Sequence, residues 1–127
     1  MVALDSSSII AFLGGESGED VVALEWALDH HQAALPPVVL CELLSDPQLG
    51  DDLGVLFKSL PQLDIDEDYW ERTGQLRAQI LSLGRRARLA DSLIAQSCID
   101  HQVPLVTRDQ DFRHFAENSS LELIRFM

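Results

Sequence analysis

Val2-Ala3-Leu4-Asp5-Ser6-Ser7-Ser8-Ile9-Ile10-Ala11-Phe12-Leu13, followed by Gly14-Gly15, is the stretch from which the fold is read. A short apolar run stops at an acid, three serines follow, and apolar residues continue until the glycine pair. The run ahead of Asp5 suits a buried strand. Asp5 and the serines suit a helix start, because short polar side chains satisfy the free amides of a first helical turn. A strand, an acid and a helix are thus written in immediate succession.

The chain beyond keeps alternating. Val21, Val22, Leu24, Trp26 and Leu28 predict a second helix, Ala33-Ala34-Leu35 a short strand, and Pro36-Pro37 a new helix over residues 37–45. Another helix is expected at 51–60, ending near Pro61, and Leu63-Asp64-Ile65 reads as a small strand. Asp66, Glu67 and Asp68 then concentrate negative charge where a helix dipole favours it. Tyr69, Trp70, Leu76, Ile80 and Leu83 continue that helix to Gly84. A helix at 90–101 precedes strands at Pro104–Thr107 and Leu121–Phe126. Short strands alternating with helices define an α/β fold whose parallel sheet is covered on both faces. Active sites of such sheets lie beyond the C-terminal strand ends, where Asp5 and Asp109 both fall.

The 127 residues, 46% of them hydrophobic, suit a single domain spanning 1–127 with a radius of gyration of roughly 14 Å. Cys41 and Cys98 each sit in an apolar run and read as buried free thiols, with no zinc or disulfide spacing around them. No basic segment precedes an apolar stretch at the N-terminus, and no run of about 18 uncharged apolar residues occurs, so no membrane partner and a cytoplasmic location are expected. His30, His31, His101 and His114 lack metal-ligand spacing and read as surface residues.

A net charge of −12, from 21 acids and 9 basic residues, opposes phosphate binding on average. Five of the nine, Arg72, Arg77, Arg85, Arg86 and Arg88, lie in an acid-free window from 72 to 90. That window suits a polyanion, and equally a solvated helix face.

Four acids carry the chemistry. Asp5 and Asp91 stand at helix starts, where a cap is the plain alternative. Asp91 also shares a helix face with Ile94, Ala95 and Cys98. Glu42 lies within Val38-Val39-Leu40-Cys41-Glu42-Leu43-Leu44, which predicts a carboxylate among apolar neighbours that needs a partner, either an arginine or a shared site. Asp109 and Asp111 follow the strand ending at Thr107. Two carboxylates about 5 Å apart repel by roughly 3 kcal/mol at an effective dielectric near 20, so a converging set calls for a cation. All-oxygen ligation suits Mg²⁺ or Mn²⁺ rather than zinc. Such an ion serves phosphodiester hydrolysis, and no phosphate loop, serine elbow or Cys-His pair competes with it.

Val-Ala-Leu-Asp5-Ser-Ser, Leu-Cys-Glu42-Leu-Leu, Leu-Ala-Asp91-Ser-Leu-Ile-Ala and Leu-Val-Thr-Arg-Asp109-Gln-Asp-Phe together resemble the ordered acidic motifs of PIN domains, particularly the VapC-type toxins. The resemblance spans essentially the whole chain. It implies a three-layer α/β/α sandwich with a short central parallel sheet, Mg²⁺- or Mn²⁺-dependent endoribonuclease activity on RNA, a cognate antitoxin protein as inhibitor, and a homodimer. It assigns Asp5, Glu42, Asp91 and Asp109 as metal-binding, catalytic acids, with Asp5 and Asp91 as direct ligands. It adds Thr107 and Ser7 as accompanying polar residues. Asp111 is a second acid in the last motif, able to replace or assist Asp109. Arg85, Arg86 and Arg88, with Arg108, are expected to line the RNA approach.

A non-catalytic PIN-like module that binds RNA or protein is the alternative, disfavoured by retention of all four acids. A phosphoacceptor signalling domain would need a lysine after a late strand, whereas the only lysine is Lys58.

Overall fold

Ala3, Leu4, Ala33, Ala34, Leu105 and Val106 are all buried, although successive residues of a strand face opposite sides of a sheet. A sheet whose alternating side chains are all buried is covered on both faces, and that condition builds this fold. In the computed structural model of the chain, which describes residues 1–124, the strands are β1 (Val2–Leu4), β2 (Ala33–Ala34) and β3 (Leu105–Val106). All pairings are parallel and the spatial order is β2-β1-β3. The register sets Ala3 beside both Ala34 and Leu105, and Leu4 beside Val106.

Seven helices surround this sheet among the described residues: α1 (Ser6–Leu13), α2 (Glu19–Asp29), α3 (Pro37–Leu44), α4 (Asp51–Ser59), α5 (Tyr69–Ser82), α6 (Leu89–His101) and α7 (Phe112–Asn118). The three-layer α/β/α expectation is borne out. Pro37 opens α3 at a position where no amide is needed, and Asp51 and Asp52 occupy the first turn of α4. Gly84 takes a left-handed φ of 72° directly after α5, where a side chain would be strained.

The helix α6 sets the site most directly. Asp91, Ser92, Ile94, Ala95, Gln96, Ser97 and Cys98 are all buried, so nearly every side of it is covered. Its serines and Gln96 are held by nearby partners, Ser92 by the Arg88 carbonyl and Gln96 by Asp100. Tyr69 Oη donates to the Leu93 carbonyl at 2.6 Å, and Ser97 Oγ donates back to Tyr69 Oη at 3.3 Å, locking α5 to α6.

Four of the sequence expectations are corrected by the elements and packing of the fold. Leu63-Asp64-Ile65 forms no strand. Pairing is confined to one bridge between Leu35 and Gln62, because Pro61 offers no amide and Asp64 and Ile65 are turned to solvent. Leu121–Phe126 is likewise one bridge, Leu105 to Leu123, and residues 125 and 126 lie outside the described residues. The helix α7 has no counterpart among the elements expected from the sequence, since its seven residues carry only Phe112 and Phe115 inward. Both phenylalanines are fully buried, which stabilises the fold by roughly 2–3 kcal/mol each and holds so short a helix in place. Cys41 is exposed rather than buried, because α3 turns only Val39 and Leu43 fully inward.

Candidate active site

The order β2-β1-β3 makes the chain cross from one side of β1 to the other, and the crevice opens at the carboxyl ends of β1 and β3. Asp5 is the first residue past β1. Its amide donates to the Val106 carbonyl at 2.9 Å, so the strand pairing itself delivers its side chain to the crevice. It is only 3% exposed. Ser7 Oγ and Thr107 Oγ1 both donate to Asp5 Oδ2, at 2.6 and 2.7 Å, which fixes the carboxylate and keeps an acceptor role for it.

The segment after β3 is built on the same hydroxyl. Thr107 Oγ1 accepts the Asp109 amide at 3.1 Å, and Asp109 Oδ1 accepts the Asp111 amide at 2.9 Å. These turns carry Asp109 and Asp111 to the first turn of α6. There, one carboxylate oxygen from each of Asp91, Asp109 and Asp111 lies within 4.8 Å of the others.

Burial, and after it charge repulsion, marks the cluster. Burial, then Asp109 and Asp5, push the Asp91 carboxyl up to about 6, with Arg88 acting in the opposite direction. Asp5 is also raised, chiefly by burial, against the pull of its two hydroxyl partners. Glu42, at the end of α3, is raised by partial desolvation and by Asp5, and accepts a hydrogen bond from Ser6 Oγ at 3.2 Å. Glu42 is exposed at the crevice mouth, which corrects the expectation of a carboxylate buried among apolar neighbours. An apolar sequence around a short helix does not enclose every one of its faces.

Asp91 Oδ2 is buried and has no hydrogen-bond partner. A buried carboxylate oxygen without a donor is costly, and this one sits in the acidic cluster. The donors are all carboxylates, with no histidine or cysteine among them, which fits Mg²⁺ or Mn²⁺.

The candidate arginines differ in their surroundings. Arg86 Nη1 lies 3.6 Å from Asp111 Oδ2 at the rim, and Arg85 and Arg88 are exposed on the same α5–α6 connection. Arg72, by contrast, is paired with Asp66 and Asp100. Arg108 is held by Asp20, Ser17 and Glu16. Asp20 does not stand out in the sequence. Two acids at the front of α2 have the look of ordinary helix-dipole residues, and nothing local couples them to a position 88 residues onward.

The fold and crevice define a class: a small α/β domain with a carboxylate cluster at the switch point of a parallel sheet. The model of the PIN domain family matches residues 2–118, and the chain belongs to that family. Among curated proteins it is 28% identical to Ribonuclease VapC5 of Mycobacterium tuberculosis, over 96% of this chain and 93% of that one. The solved VapBC-5 structure from the same organism superposes with a TM-score of 0.68 at 25% identity, covering 98% of both chains. VapBC2 from Rickettsia felis, solved bound to a DNA fragment from its promoter, gives 0.75 at 21% identity with full coverage of both chains. FitAB bound to a DNA fragment gives 0.70 at 22% identity, over 98% of this chain and 94% of that one. The resemblance to VapC-type PIN domains read from the motifs is thereby borne out. No helix of the described residues is long and apolar enough to cross a membrane.

Proposed function

We propose that this chain is a divalent-metal-dependent endoribonuclease and the toxin of a type II toxin-antitoxin pair, neutralised by a cognate antitoxin protein and working as a homodimer in the cytoplasm. One observation carries the catalytic reading: the buried, unpartnered Asp91 Oδ2 within the Asp91-Asp109-Asp111 cluster. PIN membership and the ribonuclease relative support the reaction class, and the toxin-antitoxin complexes among the structural neighbours support the biological setting.

Asp5, Asp91, Glu42 and Asp109 would hold Mg²⁺ or Mn²⁺, Asp5 and Asp91 directly, with Asp111 assisting Asp109. When bound, the ion supplies positive charge that activates water, polarises the scissile phosphoryl group and stabilises the leaving alkoxide. Ser7 and Thr107 orient Asp5 by donating to a single oxygen, leaving Oδ1 free of these two bonds. Asp91 presents its unpartnered Oδ2. Glu42, with its affinity for protons raised and its side chain at the solvent mouth, is the acid suited to take the proton of the attacking water. Arg85, Arg86 and Arg88 would meet the RNA backbone at the rim.

The deciding experiment is RNA cleavage by the purified full chain with Mg²⁺ or Mn²⁺, with EDTA, and as Asp5→Asn and Asp91→Asn. Metal-dependent cleavage lost in both variants is the expected result. Cleavage that survives EDTA and both substitutions overturns the assignment, and RNA binding without cleavage favours the non-catalytic module.

A further inference from the structure

The Arg108 guanidinium is bound to Asp20 and to none of the carboxylates of the cluster. Its Nε donates to Asp20 Oδ2 at 2.8 Å and its Nη2 to Asp20 Oδ1 at 3.0 Å, a two-point pairing of matched planar groups. Nη2 also donates to the Ser17 carbonyl at 3.1 Å, and Nη1 lies 3.7 Å from Glu16. Asp20 is also anchored by the fully buried Ser8, whose Oγ donates to Oδ2 at 2.8 Å. The contacts connect α1 through Ser8, the α1–α2 turn through Glu16 and Ser17, the start of α2 through Asp20, and the strand-end segment that carries Asp109.

Gly18 is an independent witness to this pairing. Its φ is 151°, and a Cβ placed there would stand 2.6 Å from Asp20 Oδ1 and 3.1 Å from Arg108 Nη2. The backbone leaves this space to the ion pair, and only glycine vacates it.

Arg108 lies between two residues that matter to the site. Thr107 bonds Asp5 and the Asp109 amide, and the Arg108 amide itself donates to Ser7 Oγ at 3.3 Å. A side chain fixed at Asp20 therefore restrains the backbone on which Thr107 and Asp109 are mounted.

We infer that Asp20 and Arg108 form a latch that positions the Thr107–Asp109 segment, making both positioning residues for the carboxylate cluster although neither belongs to it. The latch works by geometry. A paired carboxylate and guanidinium hold the segment's outer side while Thr107 holds its inner side, so that the carboxylate of Asp109 meets that of Asp91 at one place. Arg108 then serves the site through the segment it restrains, its guanidinium engaged by Asp20 and the Ser17 carbonyl.

The inference rests on the proposed metal-dependent function for its effect on cation binding, but the restraint on the segment is measurable in metal-free protein. Arg108→Gln, Asp20→Asn, their double variant and Gly18→Ala test it in the full chain. The readouts are amide hydrogen exchange at Arg108, Asp109 and Asp111, and Mn²⁺ affinity by calorimetry. Each single variant is expected to speed exchange at those amides about tenfold while the amides of Ala3 and Asp5, bonded to the Pro104 and Val106 carbonyls, stay protected. Mn²⁺ affinity should fall by about tenfold, the lower end of what outer-shell substitutions cost. The double variant should lose no more than one single, because the two residues act as a pair, and Arg108→Lys, which keeps the charge but not the two-point geometry, should recover only part of the loss. Gly18→Ala, with both charges intact, should reproduce the loss by displacing the Asp20 carboxylate.

Unchanged exchange at the three amides in folded variants overturns the latch, as does faster exchange with wild-type Mn²⁺ affinity. Additive losses in the double variant overturn it too. Wild-type protein that takes up no Mn²⁺ instead overturns the metal-dependent function, and the exchange data still judge the restraint.

Discussion

Thr107 Oγ1 donates to Asp5 Oδ2 at 2.7 Å across 102 positions of sequence, tying the end of β3 to the end of β1. The same oxygen accepts the Asp109 amide at 3.1 Å, so one hydroxyl both orients a buried carboxylate and starts the turn that delivers a second.

Replacing that hydroxyl with a methyl group tests its double role. Thr107→Val keeps the shape and the strand propensity, so the fold is retained at a cost of about 1 kcal/mol for the lost hydrogen bonds. Mn²⁺ affinity and RNA cleavage are expected to fall roughly tenfold to a hundredfold, as for other residues that orient ligands. Calorimetric titration beside a cleavage assay checks this, and wild-type values in both would remove Thr107 from the site's design.

The metal-free protein should become less stable as pH rises from about 4 to 7. Asp91 has its carboxyl pushed up to about 6, above the unfolded value near 4, so the native state binds the extra proton in this window and loses that advantage as the group ionises. Asp5 and Glu42 shift in the same direction. Asp20 and Asp100, held low by Arg108 and Arg72 against the cost of burial, act oppositely, and their contribution is lost only as pH falls below about 4. Thermal melts in EDTA should show a higher midpoint at pH 5.5 than at pH 7.5. Asp91→Asn should stabilise the metal-free protein at pH 7.5 by on the order of 2 kcal/mol. Mg²⁺ or Mn²⁺ should raise the wild-type midpoint more at pH 7.5 than at pH 5.5. A flat pH response in EDTA would contradict the repulsion argument.

Asp109 and Asp111 are expected to differ. Asp111 Oδ2 lies 3.6 Å from Arg86, which offsets its charge, whereas Asp109 has no ion-pair partner among the described residues. Asp109→Asn should abolish cleavage, and Asp111→Asn should leave it within about tenfold of wild type, the range of an outer-shell residue. The reverse order would make Asp111 the principal acid of the last motif.

Neutralising Arg85, Arg86 and Arg88 together should weaken RNA binding and flatten its salt dependence, by about 0.7 in logarithmic slope for each phosphate that no longer meets a positive charge. Fluorescence anisotropy at several salt concentrations measures this. An unchanged slope would return these exposed side chains to the role of a solvated surface.

The sequence by itself determined the alternation of strands and helices, the acidic motifs and their order, and the inward face that Asp91 shares with Ile94, Ala95 and Cys98. These are local properties: apolar periodicity, capping chemistry and breaks at Pro and Gly are legible wherever they occur. Only the tertiary structure decided that Glu42 and Cys41 face outward, that residues 63–65 form no strand, that Phe112 and Phe115 hold a helix too short to signal itself, and that Arg108 is held by Asp20. Those outcomes depend on which surfaces meet after the chain has crossed from one side of β1 to the other. The carboxylate cluster lies between the two kinds of knowledge. Its members are marked by their local settings, but their mutual repulsion exists only once the pairing of β1 with β3 sets Asp5 beside the Thr107–Asp111 segment and α6 packs Asp91 against both.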